Sequence, residues 1–90
     1  MNIFGMGQIV ATPGVLRELA AHGVNEWDFL RRHAIGDWGE LSEEDREANA
    51  SALETGARLL SNYPLPDGTR IWIITEADRS ATTLLLPEEY

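Results

Sequence analysis

The chain has 90 residues, 43% of them apolar, with three Trp, two Tyr, two Phe and no cysteine. That length admits one domain over 1–90, and the composition is that of a folded globule rather than a disordered tail. Fifteen Asp+Glu against seven Lys+Arg give a formal net charge of -8, which argues against direct nucleic-acid binding, where affinity rests on cationic neutralisation; the absence of cysteine excludes a disulfide framework, a thiol nucleophile and a zinc finger.

In chain order, residues 3–11 predict a short strand or extended arm, weakened by Gly5 and Gly7. Thr12-Pro13 marks a helix start, with a side-chain cap followed by a residue suited to the first helical position. That helix, 13–21, is expected to bury Leu16, Leu19 and Ala20, and Gly23 stops it. A second helix begins at Asn25 and ends at Gly36. Its buried side is read as Trp27, Phe29, Leu30 and Ala34, and Arg31, Arg32 and His33 form a cationic last turn that suits the macrodipole. Residues 37–41 are an irregular connection. Ser42 then caps a third helix whose first turn holds three acids and which runs to about Thr55, with Ala50, Leu53 and Ala57 as a thin apolar stripe.

The last third changes period. Residues 58–63 predict a strand, 64–69 a Pro/Asp-Gly turn, and 70–75 (RIWIIT) the clearest strand of the chain. A polar turn at 76–80 leads to a strand at 81–86, which Pro87 ends. The expected fold is α+β: two to three short helices on one face of a three- to four-stranded antiparallel sheet. Ile71 and Ile73 are taken to face the helices. Trp72 and Ile74 then lie on an outer, apolar face that a second subunit or the N-terminal arm would cover.

No basic stretch precedes an apolar run at the N-terminus, and no window approaches the roughly 20 apolar residues of a membrane span. The expectation is a soluble, cytoplasmic protein, complete as written, with no membrane partner. His22 stands one turn after Glu18, but three or four convergent ligands with zinc-site spacing are not legible, so no metal or cofactor is expected. A general-base pair of His33 and Asp37 is conceivable in chemistry. No nucleophile motif accompanies it, and no catalytic residue is assigned. Gly5-Met6-Gly7 lacks the rest of any phosphate-binding signature and reads as a bulge or close backbone approach.

The most informative surface feature is acidic. Asp37, Glu40, Glu43, Glu44, Asp45 and Glu47 fall within 37–47, offset only by Arg46. Glu43, Glu47 and Glu54 share one helical face. Such an array either dresses a helix N-terminus or imitates phosphate spacing for a partner's basic cleft. Trp38, among these acids, is either a plug for the core or an exposed anchor. The residues assigned to partner binding are therefore Asp37, Trp38, Glu40, Glu43, Glu44, Asp45 and Glu47.

The strings GQIVATPG (7–14), FLRRH (29–33), GDWGEL (36–41) and IWIITEADRSATTLLLPEEY (71–90) resemble a group of small bacterial proteins of plasmids and other mobile elements, called plasmid-related proteins or labelled type I restriction subunit M. A methyltransferase subunit needs a cofactor-binding domain far larger than this chain. What the resemblance implies is an accessory gene of mobile DNA, with no catalytic residues to carry over. In that context the acidic segment points to a stoichiometric inhibitor of a host defence system, anti-CRISPR or anti-restriction, whose partner is a host protein or ribonucleoprotein with a basic cleft. The alternative is a regulatory adaptor that forms a homodimer through its sheet, and a small His/Asp enzyme ranks third.

Overall fold

The computed structural model describes residues 1–90. Its elements are β1 (Gln8–Ala11), α1 (Pro13–Ala21), α2 (Glu26–Ala34), α3 (Glu43–Thr55), β2 (Leu59–Pro64), β3 (Arg70–Thr75) and β4 (Ala81–Leu85), followed by a 3-10 turn at Pro87–Glu89. This is an α+β fold with three helices and one four-stranded sheet in the order β1-β4-β3-β2. The C-terminal meander β2-β3-β4 is antiparallel as expected, but β1 runs parallel to β4, so the sheet is mixed. The reason lies in connection length: three helices separate β1 from β2, and such a crossover can return the chain in either sense. No helix is long and apolar enough to cross a membrane.

Each helix starts where its cap dictates. The side chains of Thr12, Asn25 and Ser42 accept from the amides of Val15, Trp27 and Asp45, which would otherwise lack partners. The buried faces differ from those read in the sequence. In α1 the stripe is Gly14, Val15 and Leu19, whereas Leu16 is 44% exposed and Ala20 is exposed too; those two lie about 100° or more round the helix from Val15. In α2 Phe29, Leu30, His33 and Ala34 are buried, and Trp27, about a quarter-turn from the centre of that stripe, is 49% exposed instead of lying in the core. Ala50, Leu53 and Ala57 are all exposed; α3 instead buries Asn49 and Ala52, because it meets the sheet only along β2.

The core fills the space between one sheet face and α1/α2. Val15, Leu19, Phe29 and Leu30 from the helices meet Tyr63, Ile71, Ile73 and Leu84 from the strands, closed by Leu65 and Leu86. Phe29 stacks on Tyr63 at 5.1 Å between ring centroids. Ile71 and Ile73 face the helices as read. Trp72 and Ile74 occupy the other face, where Trp72 meets the ring of Tyr90 edge-on at 5.9 Å. The guanidinium of Arg58 in turn lies over Tyr90 at 5.3 Å and donates to its hydroxyl.

An unpaired strand edge invites pairing with other chains, and the edge of β2 is closed along its length. Asn49 of α3 donates from Nδ2 to the Leu60 carbonyl (2.7 Å) and accepts from the Leu60 amide at Oδ1 (3.1 Å), so its side-chain amide stands in for a neighbouring strand. One pair further on, Asn62 donates to the Trp38 carbonyl (2.9 Å) and accepts from the Glu40 amide (2.7 Å). Gly39, between them, has φ +75°, and a Cβ there would fall on the Asn62 carbonyl and the Tyr63 ring. Only glycine permits both. Gly7 is likewise a close approach, at φ +64° against the backbone of Arg79 and Ser80.

Arg79 anchors the far end of α3. Its guanidinium donates to the carbonyls of Ala57 (2.7 Å), Ala52 (3.1 Å), Glu76 (3.1 Å) and Ala77 (3.3 Å), which places a cation at the negative end of the helix. The residue itself sits at φ +61°, a conformation that costs a non-glycine residue about 1 kcal/mol or more. At the chain's other end, the Glu89 carboxylate accepts from the Thr12 hydroxyl (2.7 Å) and the Leu86 amide (2.8 Å), which docks the C-terminus against the start of α1. These two hydrogen bonds, that from Leu86 first, hold the Glu89 carboxyl below its ordinary range.

Asn49→Ala leaves a donor and an acceptor of Leu60 without partners and should lower the unfolding free energy by about 2–3 kcal/mol, measured by urea denaturation. Asn49→Asp should be no better, since a carboxylate cannot donate to the Leu60 carbonyl. Both variants should also self-associate more readily, because an edge is reopened.

Candidate functional site

The acidic segment divides in two. Its first part is neutralised and rigid. Arg32 reaches Asp37 with two nitrogens (Nε to Oδ2 2.7 Å, Nη2 to Oδ1 3.3 Å), the fork geometry that only arginine supplies. The same guanidinium lies 4.4 Å from the centroid of the Tyr63 ring, whose hydroxyl donates to the Asp37 carbonyl at 2.5 Å. Arg32 holds the Asp37 carboxyl below its ordinary range, and burial pushes the Tyr63 phenol up to about 12. Glu40 is paired with Arg70 at 2.5 Å. Trp38 is half-buried, stacked on Phe4 at 6.1 Å and edge-on to His33 at 5.5 Å. Its ring therefore plugs the core behind the arm, the first of its two readings, and Asp37 and Glu40 fix the loop that carries it.

The second part is free. Glu43, Glu44, Asp45 and Glu47 are exposed, and none takes part in an ion pair; Glu54, two turns beyond Glu47 on the face that Glu43 and Glu47 share, is exposed and unpaired as well. All five belong to α3, whose buried residues, Asn49 and Ala52, lie opposite that face. The three first-turn acids also favour the positive end of the helix.

The general-base pair conceivable for His33 and Asp37 does not form. Asp37 is taken by Arg32, and His33 is fully buried, with Nδ1 2.6 Å from Ser61 Oγ and Nε2 2.9 Å from Thr75 Oγ1. The chain continues from Thr75 Oγ1 to Thr82 Oγ1 (2.7 Å) and from Thr82 Oγ1 to the Met6 carbonyl (2.7 Å). Its direction follows from its last member. A carbonyl can only accept, so Thr82 donates to Met6 and must accept from Thr75. Thr75 has then spent its proton and accepts from His33, which fixes the Nε2–H tautomer, and Ser61 donates to the bare Nδ1. Every polar atom of the chain is satisfied with a neutral imidazole. Burial accordingly lowers His33 to about 4 from 6.5.

A second cluster adds Asp67 to the pair of Glu18 and His22 that stands one helical turn apart in the sequence. His22, the C-cap of α1, brings Nε2 within 3.1 Å of Asp67 Oδ2 in the β2–β3 turn, and Glu18 contributes a carboxylate oxygen 4.0 Å from Nδ1. These donors come from positions 18, 22 and 67, a spacing that no local motif encodes. The bond to the Glu18 carbonyl raises His22 above its ordinary range; burial opposes it, and the charge and hydrogen bond of Asp67 add to the rise.

Compared with known proteins, the chain matches no family model, no curated protein and no solved structure at a significant level.

The folded state resists a proton on His33 that the unfolded chain takes up below pH 6.5. The contribution of this neutral imidazole is therefore whole above pH 6.5 and is lost as pH falls toward 4, by about 3 kcal/mol over that interval. Chemical denaturation from pH 7 to 4.5 should show this fall in the wild type and a shallower one in His33→Gln. Ring 15N shifts at pH 5.5 should show a neutral Nε2–H tautomer for His33.

Proposed function

We propose that the chain is a small acidic protein-binding module that acts as a stoichiometric inhibitor of a host defence system, anti-CRISPR or anti-restriction, by offering the free face of α3 to a basic cleft that normally holds nucleic acid. The observation that carries this reading is the division of the carboxylates. Asp28, Asp37 and Glu40 each have an arginine partner, whereas Glu43, Glu44, Asp45, Glu47 and Glu54 have none and share one exposed helix. Unpaired carboxylates at helical spacing attract a cationic groove by the same steering that draws in phosphates. The resemblance to accessory proteins of mobile DNA supplies the context in which such a partner would be a defence complex. The binding residues narrow to Glu43, Glu44, Asp45 and Glu47, with Asp37, Glu40 and Trp38 building the loop that presents them.

The sheet favours a second reading, a homodimeric adaptor. On the face away from the helices Leu60, Trp72 and Thr83 are half-buried and Val10 is 41% exposed, with Tyr90 and Arg58 beside Trp72. A dimer in solution that Trp72→Glu breaks, and that α3 substitutions leave alone, would favour this role.

For the first reading, the test is capture from a natural host lysate at low and high salt together with a plasmid or phage interference assay. The expected result is a captured defence complex that is lost at high salt, where the screening length shrinks, and reduced interference on expression. Reversing Glu43, Glu44 and Glu47 to Lys should weaken capture at least about tenfold and leave the unfolding transition in place. Unchanged interference, with no complex captured, would refute the inhibitor reading.

A further inference from the structure

We infer that Glu18, His22 and Asp67 form a binding site for a late first-row divalent cation such as Zn2+, Ni2+ or Co2+. The argument starts from the histidine's two nitrogens. Nδ1 lies 2.9 Å from the Glu18 carbonyl oxygen, which has no proton to give, so Nδ1 is the donor and carries the hydrogen. In the neutral ring Nε2 is then a bare lone pair. It faces Asp67 Oδ2, a carboxylate oxygen, at 3.1 Å. Two lone pairs held that close require a positive charge between them, either a proton or a metal ion.

The geometry suits the metal. Late divalent ions hold imidazole nitrogen and carboxylate oxygen at about 2.0–2.2 Å, so two such ligands at 90–110° stand about 3–3.4 Å apart. The third donor is Glu18: one carboxylate oxygen from it, one from Asp67 and a ring nitrogen of His22 all lie within 4.8 Å of one another. A metal-binding histidine is usually held by a backbone carbonyl on its other nitrogen, which is the role of the Glu18 carbonyl here. The ring also caps the C-terminal end of α1, where carbonyl dipoles favour a cation. Imidazole among the donors selects zinc, nickel or cobalt over magnesium or calcium. The side chains of Glu18 and Asp67 are 38% and 54% exposed, so water completes the shell and the ion ties α1 to the β2–β3 turn. Asp67 Oδ1 already accepts from the Thr69 amide at 2.9 Å, which holds the carboxylate in place.

The test is metal titration of the whole chain, with Zn2+ followed by calorimetry and Co2+ by paramagnetic broadening of amide signals. The site predicts one equivalent of saturable Zn2+ binding below about 1 mM, with broadening centred on residues 18–22 and 66–69. His22→Ala and Asp67→Asn should each weaken binding at least about tenfold, and Asn at 67 keeps the acceptor for Thr69, so the turn survives. Glu18→Gln should cost less. Absence of saturable binding would show that a proton alone bridges His22 and Asp67, and would overturn the inference. So would broadening centred on α3, or binding that His22→Ala leaves unchanged, since either places the ion on the free carboxylates of that helix.

Discussion

The buried run of hydrogen bonds through His33 joins more of the chain than any other contact. It takes one side chain from α2, one each from β2, β3 and β4, and the carbonyl of Met6 from the arm before β1. Its direction is set from one end to the other, so a single tautomer serves the whole run. A buried polar chain of this kind costs more than an apolar core if any member is left unsatisfied. Here none is, and beside the apolar core the last turn of α2 meets the sheet through polar groups that admit one packing. Phe4 and Trp38 close over the imidazole, and Phe4 receives Arg79 in turn. The arm is therefore held by the core, although its first residues are not paired as a strand.

The arginines follow a related logic. Arg32 and Arg70 hold the 37–40 loop through Asp37 and Glu40, and Arg79 holds the turn before β4 against the end of α3. A guanidinium satisfies several acceptors in fixed directions, which an ammonium does not. Arg79, with four carbonyl partners, offsets the cost of its own positive φ and ends α3 without a basic residue in the helix's last turn. Three of the seven arginines are thus spent on architecture. The excess of acid that remains is displayed on α3.

Regular structure was legible where local chemistry decides it. The caps Thr12, Asn25 and Ser42, the stops at Gly23 and Gly36, and the β-branched run at 70–75 place the helices and the meander within a residue or two. The parallel pairing of β1 was not legible, since it depends on where a long crossover returns. Nor was the inward side of each helix. Trp27 and Leu16 are large and apolar, yet each lies at the rim of a narrow contact stripe, while Asn49 is polar and buried because a strand edge needs an amide. Periodicity measures hydrophobicity and has no means of expressing that need. The site divides in the same way: the acidic run is visible in one dimension, but its neutralised and free parts separate only when Arg32 and Arg70 are placed.

This separation carries the functional argument. A run of acids at a helix start has an adequate structural explanation in the macrodipole, and that explanation covers Glu43, Glu44 and Asp45 in the first turn. It does not extend to Glu47 and Glu54, which lie beyond the first turn where the dipole's influence has faded. Like charges at helical spacing oppose one another and cost stability, and a helix with so little buried surface has little to offset them. Acids retained in those positions make better sense as contacts for something positively charged. The fold supports such a role by holding α3 at both ends, through Ser42 and Arg79, and by its edge, through Asn49. The helix is tied at its ends and edge while the carboxylates of its outer face have no ion-pair partner.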